Sequence, residues 1–213
     1  MHESNIDYLV LGPIETNTYF VSDPDTGECV IIDPAANPEA IISKLEKDRL
    51  QLTAMLLTHG HFDHIMAVNE LKRKYGVPVY VHEAESVIME DPGGGLMRID
   101  LSDIIVRDYV TVHDGDTLNL AGARWKVIHT PGHSAGSVCY CLPDEKVIFS
   151  GDTLFLRSFG RTDLKTGNFR EIINSLTNIL FKIPDDDIDV YPGHGGFTTL
   201  GYEKKHNDIL IDS

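Results

Sequence analysis

The chain has 213 residues, of which 42% are hydrophobic and 24% are charged, and its formal net charge at pH 7 is −15. This length suits a single domain, 1–213, with a full hydrophobic core, and the composition is that of an ordinary globular protein. The negative charge argues against a nucleic-acid-binding protein and against binding to an anionic membrane surface, because both ligands require a basic protein surface.

The first half of the chain alternates short predicted strands with predicted helices. Runs of β-branched and aromatic residues bounded by turn residues predict strands at Tyr8–Leu11, Thr18–Ser22, Cys29–Asp33, Leu52–Leu57 and Val77–His82. Apolar residues at helical spacing predict helices at Glu39–Arg49, Ile65–Tyr75 and Glu83–Glu90. Asn37 and Pro38 precede the first of these helices as a cap residue and a first-turn proline.

The second half begins with a break in regular structure. The glycine-rich segment Asp91–Gly95 ends the periodic pattern, and the poorly periodic residues up to Asp108 could lie over a site. Beyond them the pattern predicts strands at Thr117–Ala121, Arg124–Thr130, Ser137–Leu142, Val147–Ser150 and Ile188–Tyr191, and helices at Asn168–Phe181 and Tyr202–Leu210. Strands and helices in both halves predict an α/β (α+β) fold in which two sheets pack together with helices outside.

The N-terminus and the cysteines indicate the cellular compartment of the protein. The first residues contain neither a basic stretch nor an apolar core of the kind found in secretion signals, and no apolar run reaches the length of a transmembrane helix. Three cysteines, an odd number, do not make a disulfide framework. Cys139 and Cys141 are two residues apart on a predicted strand, where they would serve as small packing residues. We therefore expect a cytoplasmic protein.

The segment Thr58–His64 carries the clearest functional signal. It places His59, His61, Asp63 and His64 directly after a buried predicted strand, and imidazole and carboxylate groups are ligands that suit zinc or iron. His59 and His61 alternate along an extended chain, so their side chains point the same way. Three further candidates stand in glycine-containing turns that each follow a predicted strand: His133, Asp152 and His194.

These seven side chains suffice for two divalent metal ions that share one carboxylate. Our hypothesis is a binuclear centre with His59, His61 and His133 on one ion, Asp63, His64 and His194 on the other, and Asp152 between them. Ions about 3.5–4 Å apart would share a water whose pKa falls towards ~7, which provides a hydroxide nucleophile at neutral pH. Zinc is the favoured metal, and iron and manganese also accept this ligand set. Asp63 and Asp152 are the candidate catalytic residues.

Asp33 is a candidate for supporting this ligand set. It ends a predicted strand, from which it could orient the ligand loop through a hydrogen bond. The alternative is an ordinary turn aspartate before Pro34.

Four motifs, in their order along the chain, resemble those of the metallo-β-lactamase superfamily. They are Thr-His-Gly-His-Phe-Asp-His at 58–64, Pro-Gly-His-Ser at 131–134, Gly-Asp-Thr-Leu-Phe at 151–155 and Pro-Gly-His-Gly at 192–195. The resemblance covers roughly residues 6–206. It implies a four-layer αββα sandwich with the metals at one edge. It is much less specific for the substrate, because the superfamily includes hydrolases, oxygenases and nucleases.

Within that superfamily, residues 152–163 and 199–207 are similar to the short form of the glyoxalase II (hydroxyacylglutathione hydrolase) group. This resemblance implies a metal-dependent hydrolase that converts a small-molecule thioester into a hydroxy acid and a thiol. Only nineteen residues follow His194, so we expect the C-terminal helical domain that binds glutathione in full-length members to be missing. Arg161 falls where the group places a basic residue that contacts glutathione, and it is the candidate substrate-binding residue. It could equally tie down its own loop through Asp163.

Other activities fit the same fold. A persulfide dioxygenase would use a single iron bound by His59, His133 and Asp152. A lactonase or another ester hydrolase would use the same binuclear centre. The acidic surface argues against a nuclease, and a non-catalytic binding protein would leave the ligand set without chemistry to perform. The sequence leaves the oligomeric state open.

Overall fold

The computed structural model describes residues 3–93 and 101–210. Two six-stranded sheets form the centre of the molecule, and each is built from one half of the chain. Residues 94–100 of the segment Asp91–Asp108 lie outside the described residues, so the position of that part over a site stays a prediction. Within the described ranges, no helix is long and apolar enough to cross a membrane.

The first sheet takes its strands in chain order. They are β1 (Asn5–Leu11), β2 (Thr16–Ser22), β3 (Glu28–Ile32), β4 (Gln51–Leu56), β5 (Val79–His82) and β6 (Val110–Val112). β1, β2 and β3 are antiparallel neighbours, whereas β3, β4, β5 and β6 run parallel to one another. β2 is buried along its whole length because both faces of the sheet are covered there.

The second sheet is built from residues after this point. Its strands are β7 (Thr117–Leu120), β8 (Ala123–His129), β9 (Val138–Leu142), β10 (Val147–Gly151), β13 (Asp189–Pro192) and β14 (Thr198–Thr199). They lie in the order β14-β13-β10-β9-β8-β7. β10 and β13 are parallel, and the other neighbours are antiparallel. Between β10 and β13 the chain also forms a small hairpin of β11 (Leu154–Phe155) and β12 (Ser158–Phe159).

Helices cover the outer face of each sheet. They are α1 (Pro38–Asp48), α2 (Phe62–Ile65), α3 (Val68–Tyr75), α4 (Ser86–Glu90), α5 (Phe169–Asn174) and α6 (Leu200–His206). On the first sheet, Ile41 of α1 and Leu71 of α3 share a buried cluster with Met55 of β4. On the second, Ile172 of α5 shares another cluster with Cys139 of β9.

The inner faces of the two sheets enclose a third apolar cluster. Tyr19, Val30 and Leu56 come from the first sheet, and Trp125 and Phe149 from the second, and all of them are fully buried. Three clusters separating four layers make a helix–sheet–sheet–helix sandwich. The predicted αββα fold is therefore confirmed.

One predicted helix divides in two beside the metal-ligand candidates. The prediction for Ile65–Tyr75 was wrong at its start, because helical structure begins at Phe62 and breaks before Val68. The cause lies in the backbone: the N–H groups of Met66 and Ala67 donate to Ala35 and Pro34, each at 3.0 Å, instead of to their own helix.

The predicted helix Asn168–Phe181 also changes character along its length. It begins where expected, because the Asn168 side chain accepts hydrogen bonds from the N–H groups of residues 170 and 171. After α5 it widens into a π-helical turn, Ser175–Ile179, and ends in a 3-10 turn, Leu180–Lys182. The predicted last helix Tyr202–Leu210 becomes α6 followed by a 3-10 turn, Asp208–Leu210.

Candidate metal centre

The seven predicted ligands follow four strands at one edge of the sandwich. Four come after β4, with His59 and His61 in the loop and Asp63 and His64 in α2, and one each follows β8, β10 and β13. β8, β10 and β13 run in the same direction, so their carboxyl ends lie at one edge of the second sheet. Loops fixed at the ends of strands can hold side chains in defined positions. At this edge the structure brings together His59, His61, Asp63, His64, His133, Asp152 and His194.

Three imidazoles form the first group. The ligand atoms of His59, His61 and His133 lie within 4.8 Å of one another, and His61 Nδ1 is 2.8 Å from His133 Nε2. Outer hydrogen bonds fix the rings, because His133 Nδ1 lies 2.7 Å from the Arg161 carbonyl and His59 Nδ1 lies 3.1 Å from Thr58 Oγ1. A hydrogen bond at Nδ1 leaves Nε2 of His133 available as a ligand.

The second group combines a carboxylate with two imidazoles. Asp63 Oδ2 lies 3.2 Å from His64 Nε2 and 3.3 Å from His194 Nε2. His194 Nδ1 lies 3.1 Å from the carbonyl of Ile14, which again leaves Nε2 to face the centre. Asp63 Oδ2 also accepts a hydrogen bond from Thr16 Oγ1 at 3.1 Å.

Asp152 lies between the two groups. Its Oδ1 is 3.4 Å from His64 Nε2, and its Oδ2 is 3.5 Å from His133 Nε2 and 3.6 Å from His194 Nε2. One carboxylate thus faces imidazoles of both groups. This is the position that a ligand shared by two ions requires.

The chemistry of the buried atoms fits divalent cations. In the described part of the chain, four polar atoms of this cluster are buried without a hydrogen-bond partner: His59 Nε2, His61 Nε2, His64 Nε2 and Asp152 Oδ1. A buried polar atom without a partner is costly, whereas a bound cation would satisfy the nitrogens of His59 and His64 and the oxygen of Asp152. His61 faces the group through its Nδ1, which lies 2.8 Å from His133 Nε2.

Burial and neighbouring charges set the ionisation of the cluster. Burial, reinforced by His133, lowers the pKa of His61 to about 3, and burial lowers that of His59 well below its usual value, so both rings are neutral. Burial raises the pKa of the Asp63 carboxyl, but His64 and His194 outweigh it and hold that pKa well below its usual range. At His64 burial is outweighed by Asp63, Asp152 and Asp33, which raise its pKa, so protons compete with cations for this nitrogen.

Asp33 lies directly beneath the ligand loop. Its Oδ1 accepts a hydrogen bond from the Thr58 N–H at 2.7 Å, and its Oδ2 accepts one from Thr58 Oγ1 at 2.6 Å. Oδ2 is also 2.9 Å from His64 Nδ1. The residue stands in the left-handed backbone region, with φ 49°, as it leaves β3 for Pro34. It therefore both makes the turn and contacts a candidate ligand.

A cleft of about 410 Å³ opens onto the centre. Its floor includes His61, Asp63, His133, Asp152 and His194, and its apolar wall includes Ile14, Phe62, Pro92 and Leu164. Arg161 also lines it, although its exposed guanidinium is paired with Asp163, with Nε–Oδ1 2.6 Å and Nη2–Oδ2 2.7 Å. Arg161 therefore lies where it could contact a substrate, and it also forms the ion pair with Asp163 within its own loop.

Three contributors to the site were not predicted from the sequence. Thr16 and Thr58 contact candidate ligands, and Glu85 is a buried carboxylate that contacts the ligand loops. Thr58 directly precedes His59, so its place in the motif was a usable signal. Thr16 and Glu85 are distant in sequence and carry no local signal.

A sequence model of the metallo-beta-lactamase superfamily matches residues 11–194. Hydroxyacylglutathione hydrolase GloC of Haemophilus influenzae is 34% identical over 209 residues, which cover 97% of this chain and 98% of that protein.

Three solved structures are also similar. The BLEG-1 B3 metallo-beta-lactamase superposes with a TM-score of 0.87 at 38% identity, covering 97% of this chain and 99% of that one. TTHA1623, solved in a di-iron-bound form, has a TM-score of 0.83 at 33% identity and coverages of 96% and 100%. ETHE1 from Myxococcus xanthus has a TM-score of 0.77 at 31% identity and coverages of 96% and 83%.

Proposed function

Because the chain belongs to the metallo-beta-lactamase superfamily, we propose that it is a metal-dependent hydrolase that cleaves thioesters of the S-acylglutathione type into an acid and a thiol. The observation that carries the proposal is the convergence of seven ligand side chains below an open cleft. The similarity to a hydroxyacylglutathione hydrolase along nearly the whole of both chains supports the thioester as substrate.

Two divalent cations, with zinc as the first choice and iron or manganese as alternatives, would be held by the two groups of ligands. His59, His61 and His133 would bind one, Asp63, His64 and His194 the other, and Asp152 both. When bound, such ions supply Lewis acidity, which lowers the pKa of water and polarises a thioester carbonyl.

Two ionised carboxylates can orient the attacking water at the reacting centre. Burial raises the pKa of Asp152, but His64, His133 and His194 outweigh it and hold that pKa at about 2, so the group is ionised at neutral pH. Asp63 is ionised for a similar reason and lines the cleft. An ionised carboxylate in contact with the attacking water can orient it by accepting a hydrogen bond from it.

The lining of the cleft suits a thioester whose thiol portion carries a carboxylate. Ile14, Phe62 and Leu164 exclude water from one side of the reacting carbonyl. Arg161 can pair with a carboxylate of the thiol portion. Its present partner Asp163 is exposed, and exposed ion pairs contribute little to stability, so a substrate carboxylate can displace it.

A second candidate function is the oxidation of a persulfide by dioxygen at a single iron ion, which His59, His133 and Asp152 would hold. The observation that favours iron is that TTHA1623, at 33% identity, was solved in a di-iron-bound form, although it holds two ions rather than one. The number of ligands fits either activity. Hydrolysis remains our proposal because a hydroxyacylglutathione hydrolase is similar to this chain along nearly the whole length of both proteins.

The test is thiol release from S-D-lactoylglutathione by protein of measured metal content. The informative variant is Asp152→Asn, which keeps the shape of the side chain and removes its charge. The matched control is Asp187→Asn, the same substitution at a side chain that is 88% exposed. Parallel assays use a lactone, a β-lactam and a persulfide with oxygen uptake.

We expect thioester hydrolysis that Asp152→Asn abolishes and Asp187→Asn leaves unchanged. Metal-loaded protein that releases no thiol would contradict the proposed substrate, and the parallel assay that responds would identify the chemistry. Hydrolysis that survives in Asp152→Asn would contradict the role of Asp152.

A further inference from the structure

Glu85 is a carboxylate with no exposed surface, in the 3-10 turn Glu83–Glu85 that precedes α4. Its Oε1 accepts a hydrogen bond from the Gly60 N–H at 2.9 Å. Its Oε2 accepts two more, from Ser134 Oγ and from the Gly136 N–H, each at 2.8 Å. Three donors therefore converge on one buried anionic group, which is the arrangement that makes burial of a charge tolerable.

The donors belong to two different ligand loops. Gly60 stands between His59 and His61 in the loop after β4 of the first sheet. Ser134 directly follows His133 in the loop after β8 of the second sheet. One carboxylate thus joins the two halves of the three-imidazole group across the gap between the sheets.

The surrounding glycines show how closely Glu85 and its turn approach these loops. A Cβ atom on Gly136 would lie 2.5 Å from Glu85 Oε2 and 2.5 Å from the Glu85 backbone nitrogen. A Cβ atom on Gly60 would lie 2.7 Å from Met89 Sδ in α4. The contact at Gly136 involves the Glu85 backbone, so the loop after β8 and the turn fit together only with glycine there, whereas a side chain at position 60 would displace the flexible end of Met89.

We infer that Glu85 is a positioning residue that sets the distance between the His59–His61 pair and His133, and so sets the affinity of the three-imidazole group for its metal ion. This inference rests on the metal centre of the proposed function but not on the choice of a thioester as substrate. Asp33 is the corresponding contact for the other group, because its Oδ2 lies 2.9 Å from His64 Nδ1.

Glutamine at position 85 tests the carboxylate with little change in shape. A carboxylate accepts at both oxygens, whereas an amide accepts at one and donates at the other. In one orientation the amide nitrogen faces the Gly60 N–H, and in the other it faces the Gly136 N–H. Neither backbone donor can rotate away, so either orientation pushes one ligand loop from its place.

The experiment measures Zn²⁺ binding by competition with a chromophoric chelator, on full-length protein first stripped of metal. The variants are Glu85→Gln and, as the matched control, Glu83→Gln, the same change two residues away at a side chain that is 60% exposed. We expect one of two Zn²⁺ equivalents to weaken by about 10–100-fold in Glu85→Gln, the range typical for groups that orient metal ligands, and no change in Glu83→Gln.

Melting of the metal-free proteins separates positioning from general stability. Unchanged Zn²⁺ affinity of folded Glu85→Gln, with or without a lower Tm, would overturn the inference and leave a merely structural role. If Glu85→Gln does not fold, Ser134→Ala decides, since it removes one donor and leaves the carboxylate, and it should weaken the same Zn²⁺ equivalent. Wild-type protein that binds no Zn²⁺ would overturn both the proposed function and this inference. Wild-type protein that binds Zn²⁺ but does not hydrolyse thioesters would contradict only the proposed function.

Discussion

Replacing Asp33 with asparagine should weaken metal binding more than it weakens the fold. The amide can take two orientations in the space of the carboxylate. With its nitrogen towards the Thr58 N–H, two buried donors face each other, which costs about 1–3 kcal/mol. With its nitrogen towards Thr58 Oγ1 and His64 Nδ1, the hydroxyl can rotate and the imidazole can change tautomer, so both can accept from the amide. We therefore expect the second orientation.

The second orientation changes His64 itself. When Nδ1 accepts a hydrogen bond, the proton of the neutral ring moves to Nε2, the atom that faces Asp63 and Asp152. That atom cannot then act as a ligand without first losing its proton. Loss of a group that orients a ligand typically reduces metal affinity about 10–100-fold, which corresponds to about 1.4–2.8 kcal/mol. In this orientation the Thr58 N–H, the Thr58 hydroxyl and His64 Nδ1 each keep a hydrogen-bond partner on the asparagine side chain at position 33, so the fold should lose little stability.

The assay combines chelator competition for Zn²⁺ with thermal melting of the metal-free protein, and uses Asp187→Asn as control. For a chain of this size, each kcal/mol of lost stability lowers Tm by roughly 2–4 °C. We expect a Tm change below about 4 °C together with the loss of affinity. A large fall in Tm with unchanged Zn²⁺ affinity would mean that the first orientation prevails and would refute the reasoning.

Three further predictions follow from the site and its surroundings. Arg161→Ala should raise KM for a carboxylate-bearing thioester more than it lowers kcat, because it removes binding that substrate and transition state share; steady-state kinetics that show a loss confined to kcat would contradict this. Chelation should inactivate the enzyme and added Zn²⁺ should restore it, so full activity after verified metal removal would exclude a metal mechanism. Burial and the stacked ring of His129 lower the pKa of His82 to about 4 in the folded protein. In the unfolded chain this imidazole is protonated already near its usual pKa of about 6.5. The free energy of unfolding should therefore fall as the pH drops from about 6.5 towards 4. Melting curves of His82→Gln should show a weaker pH dependence than wild type, and an unchanged pH dependence would contradict this role of His82.

The convergence of the seven candidate ligands could be predicted from the sequence because each of them comes shortly after a strand. Apolar runs with bounding turns indicated β4, β8, β10 and β13. The residues that directly follow parallel strands lie at the same edge of a sheet, so these side chains were expected close together. The position of Asp33 beside the ligand loop was predictable for the same reason. The inner core residues Trp125 and Phe149 lie on strands that the pattern also indicated.

What could not be predicted depends on which loops meet in space. Glu85 contacts Gly60 and Ser134, which are 25 and 49 residues away, and no local pattern encodes these contacts. The break after Ile65 arises because backbone donors find carbonyls of the loop after β3, a tertiary contact that overrides helical periodicity. The strands β6, β11, β12 and β14 are two or three residues long, too short for a periodic signal.

The division of the two sheets between the two halves of the chain has a consequence for how the molecule could be taken apart. Residues 113–116 join β6 to β7, so a backbone cut there would leave each fragment with all six strands of one sheet. Each fragment would also carry an incomplete coordination set, with four ligands before the cut and three after it. Zn²⁺ would then bind fully only to the assembled pair of fragments, because its ligands come from both. Reassembly of the split protein would therefore depend on the Zn²⁺ concentration.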